Sequence, residues 1–278
     1  MSQPNPTAGP ISKAVVLARG LGTRMRRRDD EAVHDATQAR VADSGLKAMI
    51  PIGRPFLDYV LGALAEAGIT KVCLVIGPEH AVVRAHYERL QPSRIAVSFA
   101  VQAEPRGTAD AVLAAESFAG NEPFLVLNSD NYYPVDALAA MTTCGAPALA
   151  AFHRDGLVLG GDIEADRVRH FALLRISHDG VLDEIVEKPD AATSAAFGDD
   201  VFVSMNLWAF DHNIFEACRK VAPSPRGEFE LPQAVRLATT TMGMRVKAIR
   251  LRLPVLDLSR RADIARVAAR LAGVAVRL

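Results

Sequence analysis

The sequence lacks the features that mark several large classes of protein. Its 278 residues include only 3 cysteines, which lie far apart and form no C-x-x-C pair. Neither a disulfide framework nor a cysteine-rich zinc site is therefore predicted. No apolar run approaches the ~20 residues that span a bilayer, and the N-terminus has no apolar signal-peptide region. We therefore expect no membrane partner and a location in the reducing cytoplasm.

An excess of charge is also missing. Lysine plus arginine number 32 and aspartate plus glutamate number 32, so the formal net charge is +0. Without a broad positive field, general binding of nucleic acid is not expected. The chain contains no Walker A, H-E-x-x-H or G-x-S-x-G sequence. With 50% hydrophobic residues, the composition is that of a globular, core-forming chain.

Short apolar runs alternate with helical patterns in the first half. The runs are typical of buried parallel strands and cover 14–18, 72–76, 124–127 and 148–152. The helical patterns cover 56–64, 108–118 and 135–141. This alternation predicts an α/β, Rossmann-like fold with a mixed, mainly parallel central sheet and helices on both faces.

The second half changes its pattern. A hairpin is predicted from 170–176 and 181–187 around Asp179-Gly180, with a third strand at 201–210, so a small antiparallel layer is expected. Helices are predicted at about 211–221, 231–239 and 259–271. Residues 1–12, with three prolines, are predicted to be disordered. The rest is expected to form one α/β domain with halves at 13–152 and 153–278.

A glycine-containing loop follows the first predicted strand. Gly20 and Gly22 let the backbone approach a ligand closely, and Arg24 offers a planar charged fork to phosphate oxygens. No third glycine follows, so the loop is not the dinucleotide-binding fingerprint. The residues alone predict a cradle for an anion such as a triphosphate.

Six short motifs in a fixed order resemble the sugar-1-phosphate nucleotidylyltransferases, also called nucleotide-sugar pyrophosphorylases. The resemblance covers nearly the whole chain after residue 12. The motifs are Leu17-Ala18-Arg19-Gly20-Leu21-Gly22-Thr23-Arg24-Met25 with Lys47, the segment Gln102 to Ala109, Asn128-Ser129-Asp130, Glu187-Lys188-Pro189, Asn206, and Asp257.

The resemblance implies a role for each motif. The half at 13–152 would bind nucleotide and the half at 153–278, with its antiparallel layer, the sugar phosphate. Nucleotide contacts are implied for Leu17, Ala18, Gly20, Gly22, Thr23, Gln102, Gly107 and Thr108. Catalytic roles are implied for Arg24, Lys47 and Asp130. Sugar-phosphate contacts are implied for Glu187, Lys188 and Asn206. Mg²⁺ would be held by Asp130 and Asp257.

The implied reaction joins a nucleoside triphosphate and a sugar 1-phosphate, giving a nucleoside diphosphate sugar and pyrophosphate. Two anions must meet in line, so cations and a metal must offset their repulsion. Magnesium prefers oxygen ligands and commonly uses one or two carboxylates plus substrate phosphates. A homo-oligomer is compatible with the sequence, which fixes neither the base nor the sugar.

The chain departs from the family pattern at several positions. Arg19 replaces the usual Gly or Ala near the expected base, and Ala172 and Trp208 replace glycines near the expected sugar. These changes suggest an unusual substrate such as a cyclitol phosphate, although Trp208 fits core packing equally well. The polar link from Arg24 to Lys47 is longer than usual, and we expect an extended, mobile lid there.

Three alternatives remain open at this point. The first is a cytidylyltransferase acting on a non-sugar alcohol phosphate, which would not need Glu187 and Lys188. The second is a catalytically silent homologue that binds nucleotide and regulates a partner. The third is a metal-dependent glycosyltransferase, which should carry D-x-D where this chain has Asn128-Ser129-Asp130.

Overall fold

A computed structural model describes residues 9–29, 32, 34–187, 189–198 and 200–278. The strands are β1 (Lys13–Leu17), β2 (Pro51–Ile52), β3 (Arg54–Pro55), β4 (Lys71–Ile76), β5 (Ala96–Val101), β6 (Phe124–Asn128), β7 (Asn131–Tyr132), β8 (Ala148–His153), β9 (Leu173–Ile176), β10 (Leu182–Val186), β11 (Phe202–Phe210), β12 (Lys247–Leu251) and β13 (Leu256–Asp257).

Helices occur between most of these strands. They are α1 (Thr23–Arg26), α2 (Ala36–Ser44), α3 (Phe56–Glu66), α4 (Ala81–Leu90), α5 (Thr108–Ala114), α6 (Glu116–Ala119), α7 (Val135–Thr143), α8 (Ala165–Val168), α9 (Ala191–Ala196), α10 (Asn213–Lys220), α11 (Leu231–Thr241) and α12 (Asp263–Leu271). A 3₁₀ turn covers Lys47–Met49 and a π-helical turn covers Gly156–Gly160.

One nine-stranded mixed sheet organises the fold. Its main path runs β10-β9-β11-β6-β1-β4-β5, and β8 pairs with both β11 and β12. Strand β1 is parallel to β4 and β6, and β4 is parallel to β5. Strand β11 is antiparallel to β6, β8 and β9. The predicted fold class is confirmed, with the antiparallel strands continuing the same sheet.

Helices cover both faces of this sheet. Ala14 and Val16 belong to one buried cluster and Val15 to the other, because successive strand residues point to opposite faces. Both faces of β1 are thus buried, which explains its continuous apolar run. Residues of α3, α7 and α12 pack on the first face, and residues of α5, α10 and α11 on the second.

The segment between Arg24 and Lys47 is not the extended lid predicted from the sequence, because much of it is helical. Ala36–Ser44 forms a helix whose start is fixed by a capping box, in which Asp35 accepts hydrogen bonds from the backbone N–H groups of Thr37 and Gln38. The buried Arg261 side chain pairs with Asp43 and donates to the carbonyl of Arg27 at 2.9 Å, which ties this segment to the rest of the fold.

Other sequence predictions are adjusted in detail. The helix expected over 108–118 is divided into α5 and α6, and the helix expected from 259 begins at Asp263, whose carboxylate accepts the N–H groups of Ser259 and Arg260, both at 2.9 Å. The disorder expected for 1–12 falls largely on residues 1–8, which lie outside the described part of the chain. No helix among the described residues is long and apolar enough to cross a membrane.

Candidate active site

A cavity of about 500 Å³ opens at the carboxyl ends of β1, β5 and β6. Parallel α/β sheets bind their ligands at this edge. Most of the site residues expected from the sequence line it, and these are Leu17, Ala18, Gly20, Gly22, Thr23, Arg24, Lys47, Gln102, Gly107, Thr108, Asp130, Glu187 and Asn206. Asp257 lies behind the lining, and Lys188 is outside the described residues.

The glycine-containing loop is shaped by one close backbone contact. Gly22 has φ 59° and is the N-cap of α1, and a Cβ at this position would lie 2.1 Å from the carbonyl oxygen of Gly45. Glycine is therefore required at this turn by both conformation and space. A Cβ at Gly20 would have nothing within 4 Å, so this residue faces open space in the cavity.

Arg24 and Lys47 place two positive charges along the cavity wall. The exposed Arg24 side chain lines the cavity, and it has no acidic partner within the described residues. Lys47, on the 3₁₀ turn, forms an ion pair with Asp130, and the two side chains are 18% and 16% exposed. The Lys47 charge is therefore held at the cavity by a carboxylate.

Asp130 and Asp257 are brought together by a short antiparallel pair. Asp257 in β13 is opposite Asn131 in β7, and the N–H of Leu258 donates to the Asp130 carbonyl at 2.9 Å. Burial raises the pKa of Asp257, and the negative charge of Asp130 raises it further. The backbones of Asp130 and Asp257 are thus neighbours in the fold, and their carboxylates are close enough to interact electrostatically.

The Asp257 carboxylate is already engaged by this chain's own donors. Arg167 forms an ion pair with one oxygen, and the Ser259 hydroxyl donates to the other at 2.7 Å. Arg167 also donates to Asp263 at 2.8 Å, and this pairing holds the pKa of Asp263 below its usual range although burial alone would raise it. A metal ion at Asp257 would have to share this carboxylate with Arg167 and Ser259, or displace one of them.

The expected base-reading segment is fixed by internal hydrogen bonds. The buried Gln102 amide donates to the Gly107 carbonyl at 2.9 Å and to the Asp110 carboxylate at 2.8 Å. Both N–H groups of the side-chain amide are therefore engaged, and its side-chain carbonyl oxygen is the group left to accept a hydrogen bond from a ligand. Thr108 accepts a hydrogen bond from the N–H of Leu231 at 2.8 Å, so its hydroxyl supports the start of α11.

Asn206 adopts an uncommon backbone conformation at the opposite wall. Its φ is 59°, and the register of β11 against β8 shifts between Ser204 and Trp208. A non-glycine residue in this region is favoured only for Asn, Asp or His, and such residues cluster at functional sites. The bulge in β11 thus places Asn206 on the cavity wall, where Glu187 also lies.

Two departures from the family pattern lie in the core. Trp208 is 0% exposed and stacks on Phe210 with ring centroids 5.7 Å apart, so it packs the core and does not wall the cavity. Ala172 is also buried, and its carbonyl accepts a hydrogen bond from the N–H of Ser204 at 2.9 Å. Neither residue lines the cavity.

Sequence reasoning missed one charged segment of the cavity wall. Arg226, Glu228 and Glu230 line it, and Arg226 pairs with Glu230 at 2.6 Å and Glu228 at 3.2 Å. The N–H of Phe229 donates to the Arg106 carbonyl at 2.7 Å, which joins this segment to the base-reading segment. Its signal was a run of charged residues just before the predicted helix at 231.

The chain is similar to known nucleotidyl transferases. The nucleotidyl transferase family matches residues 39–252. The chain is 27% identical over 240 residues to the UTP-glucose-1-phosphate uridylyltransferase AglF of Haloferax volcanii, covering 86% of this chain and 88% of AglF. It is 29% identical over 227 residues to a glucose-1-phosphate thymidylyltransferase of Streptomyces antibioticus, covering 81% of this chain and 56% of that protein.

Solved structures share the same fold. A UDP-glucose pyrophosphorylase complexed with UDP-glucose superposes with a TM-score of 0.70 at 20% identity, covering 94% of this chain and 98% of that one. HddC from Yersinia pseudotuberculosis, complexed with GMP-PN, superposes with a TM-score of 0.63 at 19% identity, covering 94% and 100%.

The chain shares the α/β sheet of these structures, with a glycine loop and a charged cavity at its carboxyl edge. The chain belongs to the nucleotidyl transferase family, and the family predicted from its motifs is confirmed. The chain spans only about half the length of several other relatives. It covers 56% of Agl11 of Haloferax volcanii and 46% of GlmU of Methanococcus vannielii.

Proposed function

We propose that this protein transfers a nucleoside monophosphate from a nucleoside triphosphate to a sugar 1-phosphate or a related cyclitol phosphate. An oxygen of the incoming phosphate attacks the α-phosphorus, the bond to the β-phosphate breaks, and pyrophosphate leaves. The observation that carries the proposal is one cavity lined by the glycine loop, Arg24, Lys47, Asp130 and Asn206. The names of the relatives support the same activity.

The chain's own cations would do much of the electrostatic work. Arg24 lies on the glycine loop without an acidic partner among the described residues, so it would bind the triphosphate and the departing pyrophosphate. Lys47 would exchange its contact with Asp130 for a phosphate oxygen. Both charges are placed before the substrate enters, which lowers the reorganisation needed when the two anions meet.

We further propose that Mg²⁺ assists the transfer. Asp130 at the cavity and Asp257 behind it would hold the ion, provided that Arg167 releases Asp257. Among the described residues, no cluster of three or more His, Cys, Asp or Glu side chains is suited to holding a metal. One or two carboxylates completed by substrate phosphates is a usual arrangement for magnesium, so the donor set fits. When bound, the ion would neutralise phosphate charge.

The sugar phosphate would occupy the wall formed by Glu187 and Asn206. A carboxylate accepts hydrogen bonds from sugar hydroxyls, and the Asn206 amide can both donate and accept. Lys188, implied for the attacking phosphate, follows Glu187 directly in the sequence and keeps that proposed role. The alternative of a non-sugar alcohol phosphate is not favoured, because the named relatives act on sugar phosphates.

The compartment remains the cytoplasm in this proposal. Cys73, Cys144 and Cys218 are free thiols, and burial raises the pKa of Cys73 to about 11 and of Cys218 to about 12. Free thiols of this kind are usual in a reducing environment. A homo-oligomer stays compatible with the proposal.

A matrix of triphosphates against hexose 1-phosphates and inositol phosphates, read by pyrophosphate release, tests the function. We expect release with at least one pair, loss of release with EDTA, and recovery with added Mg²⁺. Asp130→Asn should lower the rate of pyrophosphate release by about 10²–10³-fold. Binding of triphosphate without pyrophosphate release from any pair would contradict the proposal and favour the silent homologue.

A further inference from the structure

Arg19 is a charged side chain that the proposed chemistry does not use. It follows β1 and lines the cavity, and its Nε lies 3.4 Å from a carboxylate oxygen of Glu79. Glu79 follows β4, which neighbours β5 and hence Gln102, whereas Asp130 follows β6 on the other side of β1. Arg19 therefore extends toward the Gln102 side of the cavity and away from the Lys47–Asp130 pair.

The Arg19 guanidinium lacks the hydrogen bonds that a buried group needs. Its side chain is 7% exposed, and among the described residues neither Nε nor Nη1 has a hydrogen-bond partner. The 3.4 Å approach to the half-exposed Glu79 is an ion pair without hydrogen-bond geometry at Nε. Buried donors without partners are costly, so an acceptor placed against them would be bound favourably.

The backbone beside Arg19 is shaped to hold this side chain. A Cβ at Gly77 would lie 2.5 Å from Arg19 Nε and 2.4 Å from the Glu79 carboxylate oxygens. The Gly77 N–H points at His80 Nδ1 at 3.3 Å, so the ring accepts there. Glycine at position 77 thus leaves room for the Arg19–Glu79 charge pair beside the cavity.

The polar groups on this side form a defined pattern. Arg19 offers N–H donors in a planar fork, and Gln102 offers its carbonyl oxygen because its amide is spent on Gly107 and Asp110. A fork of this kind pairs with two neighbouring acceptors, as in guanine at N7 and O6. Cytosine presents such a pair at N3 and O2, whereas adenine and uracil have no two acceptors that point side by side in one direction.

We propose that Arg19 selects the nucleobase, favouring one with two neighbouring acceptors, guanine or cytosine, over adenine and uracil. This inference rests on the proposed function, since it assigns the base of the same triphosphate. Both candidates share one chemistry, two adjacent acceptors opposite a guanidinium and a donor opposite the Gln102 carbonyl. Guanine satisfies it with N7, O6 and N1–H, and cytosine with N3, O2 and the N4 amino group.

Equilibrium binding of GTP, CTP, ATP and UTP without sugar phosphate tests the proposal by calorimetry. A good bidentate contact discriminates by about 5- to 150-fold in Kd, and we expect GTP or CTP to lead ATP and UTP by a ratio in that range. Comparison of GTP with 7-deaza-GTP, which lacks N7, separates the two: weaker binding of the deaza analogue identifies guanine, and a CTP lead identifies cytosine.

Variants separate base reading from a general effect of charge. Arg19→Met should bring the four Kd values to within about threefold of one another, and Arg19→Lys should restore charge without restoring the ranking, because it lacks the fork. Gly77→Ala, which displaces the guanidinium without removing it, should weaken the ranking. Wild-type preference for ATP or UTP, or a ranking unchanged in Arg19→Met, would overturn the inference.

The outcomes also separate this inference from the proposed function. Pyrophosphate release with an unranked set of triphosphates would overturn the role of Arg19 and leave the transfer reaction standing. An equal loss of all four affinities in Arg19→Met, recovered in Arg19→Lys, would show a phosphate contact and overturn base selection. Absence of binding by every triphosphate would overturn both.

Discussion

Removing the guanidinium of Arg167 should destabilise the protein strongly. The substitution Arg167→Met keeps much of the side-chain volume but leaves the Asp257 carboxylate, 7% exposed, without a cation, whereas Asp263 keeps its ion pairs with Arg266 and Arg260. Breaking a buried ion pair by removing one partner costs about 3–5 kcal/mol. At roughly 2–3 °C per kcal/mol for a chain of this length, the melting temperature should fall by roughly 6–15 °C.

Differential scanning calorimetry at several pH values measures this loss. Burial already raises the pKa of Asp257, and Arg167 opposes that rise. Without Arg167 the pKa should rise further, so the carboxyl is protonated at a higher pH and its buried charge disappears. The melting-temperature difference between wild type and variant should therefore be largest near neutral pH and should shrink as the pH falls.

A double variant and added metal complete the test. Arg167→Met with Asp257→Asn should recover part of the stability, because the uncompensated charge at position 257 is gone. Mg²⁺ should stabilise Arg167→Met more than wild type, because Asp257 is then free to ligate. A fall of less than about 2 °C near neutral pH, or strictly additive effects in the double variant, would refute the reasoning.

Three further predictions concern the same structure. Gly22→Ala should lower the free energy of unfolding by more than about 2 kcal/mol, because residue 22 has a positive φ and its new Cβ would clash with Gly45. Gly20→Ala has open space around it, so its free energy of unfolding should lie within about 1 kcal/mol of the wild-type value. Chemical denaturation measures both. Asp130→Asn should lower the rate of pyrophosphate release by about 10²–10³-fold at an unchanged melting temperature. The matched control is Asp136→Asn, which makes the same change at an exposed position outside the cavity. Near-native turnover of Asp130→Asn would exclude a catalytic role for Asp130. A thiol reagent at pH 8 should modify the partly exposed Cys144 before the buried Cys73 and Cys218. At that pH the Cys73 thiol, whose pKa is about 11, is only ~0.1% thiolate. Early labelling of Cys73 would contradict its burial.

Much of the fold follows from apolar runs that both faces of the sheet bury. Residues 14–18, 72–76 and 124–127 were predicted as strands because β1, β4 and β6 lie in the middle of the sheet, covered on both sides. Strand β5 was not predicted, since it lies at the sheet edge and Ala96–Val101 alternates between exposed and half-buried positions around Ser98. Edge strands carry a weaker apolar signal.

The site divides in a similar way. Arg24, Lys47 and Asp130 were predicted because short motifs place them next to recognisable strands. The contact of Arg167 with Asp257 and the wall formed by Arg226 were not predicted, because they join residues far apart in sequence. Arg19 was noticed only as a bulky departure, since its unpaired nitrogens depend on how Gly77 and Glu79 fold around it.

The transfer of a labelled α-phosphate tests the central claim most directly. With a nucleoside triphosphate labelled at the α-phosphate and the sugar 1-phosphate found active in the matrix, the label should appear in a nucleoside diphosphate sugar while pyrophosphate is released unlabelled. Asp130→Asn should form the labelled product about 10²–10³-fold more slowly than wild type. Label that stays in the triphosphate with every sugar phosphate, or that is recovered on the protein, would contradict direct transfer in this cavity.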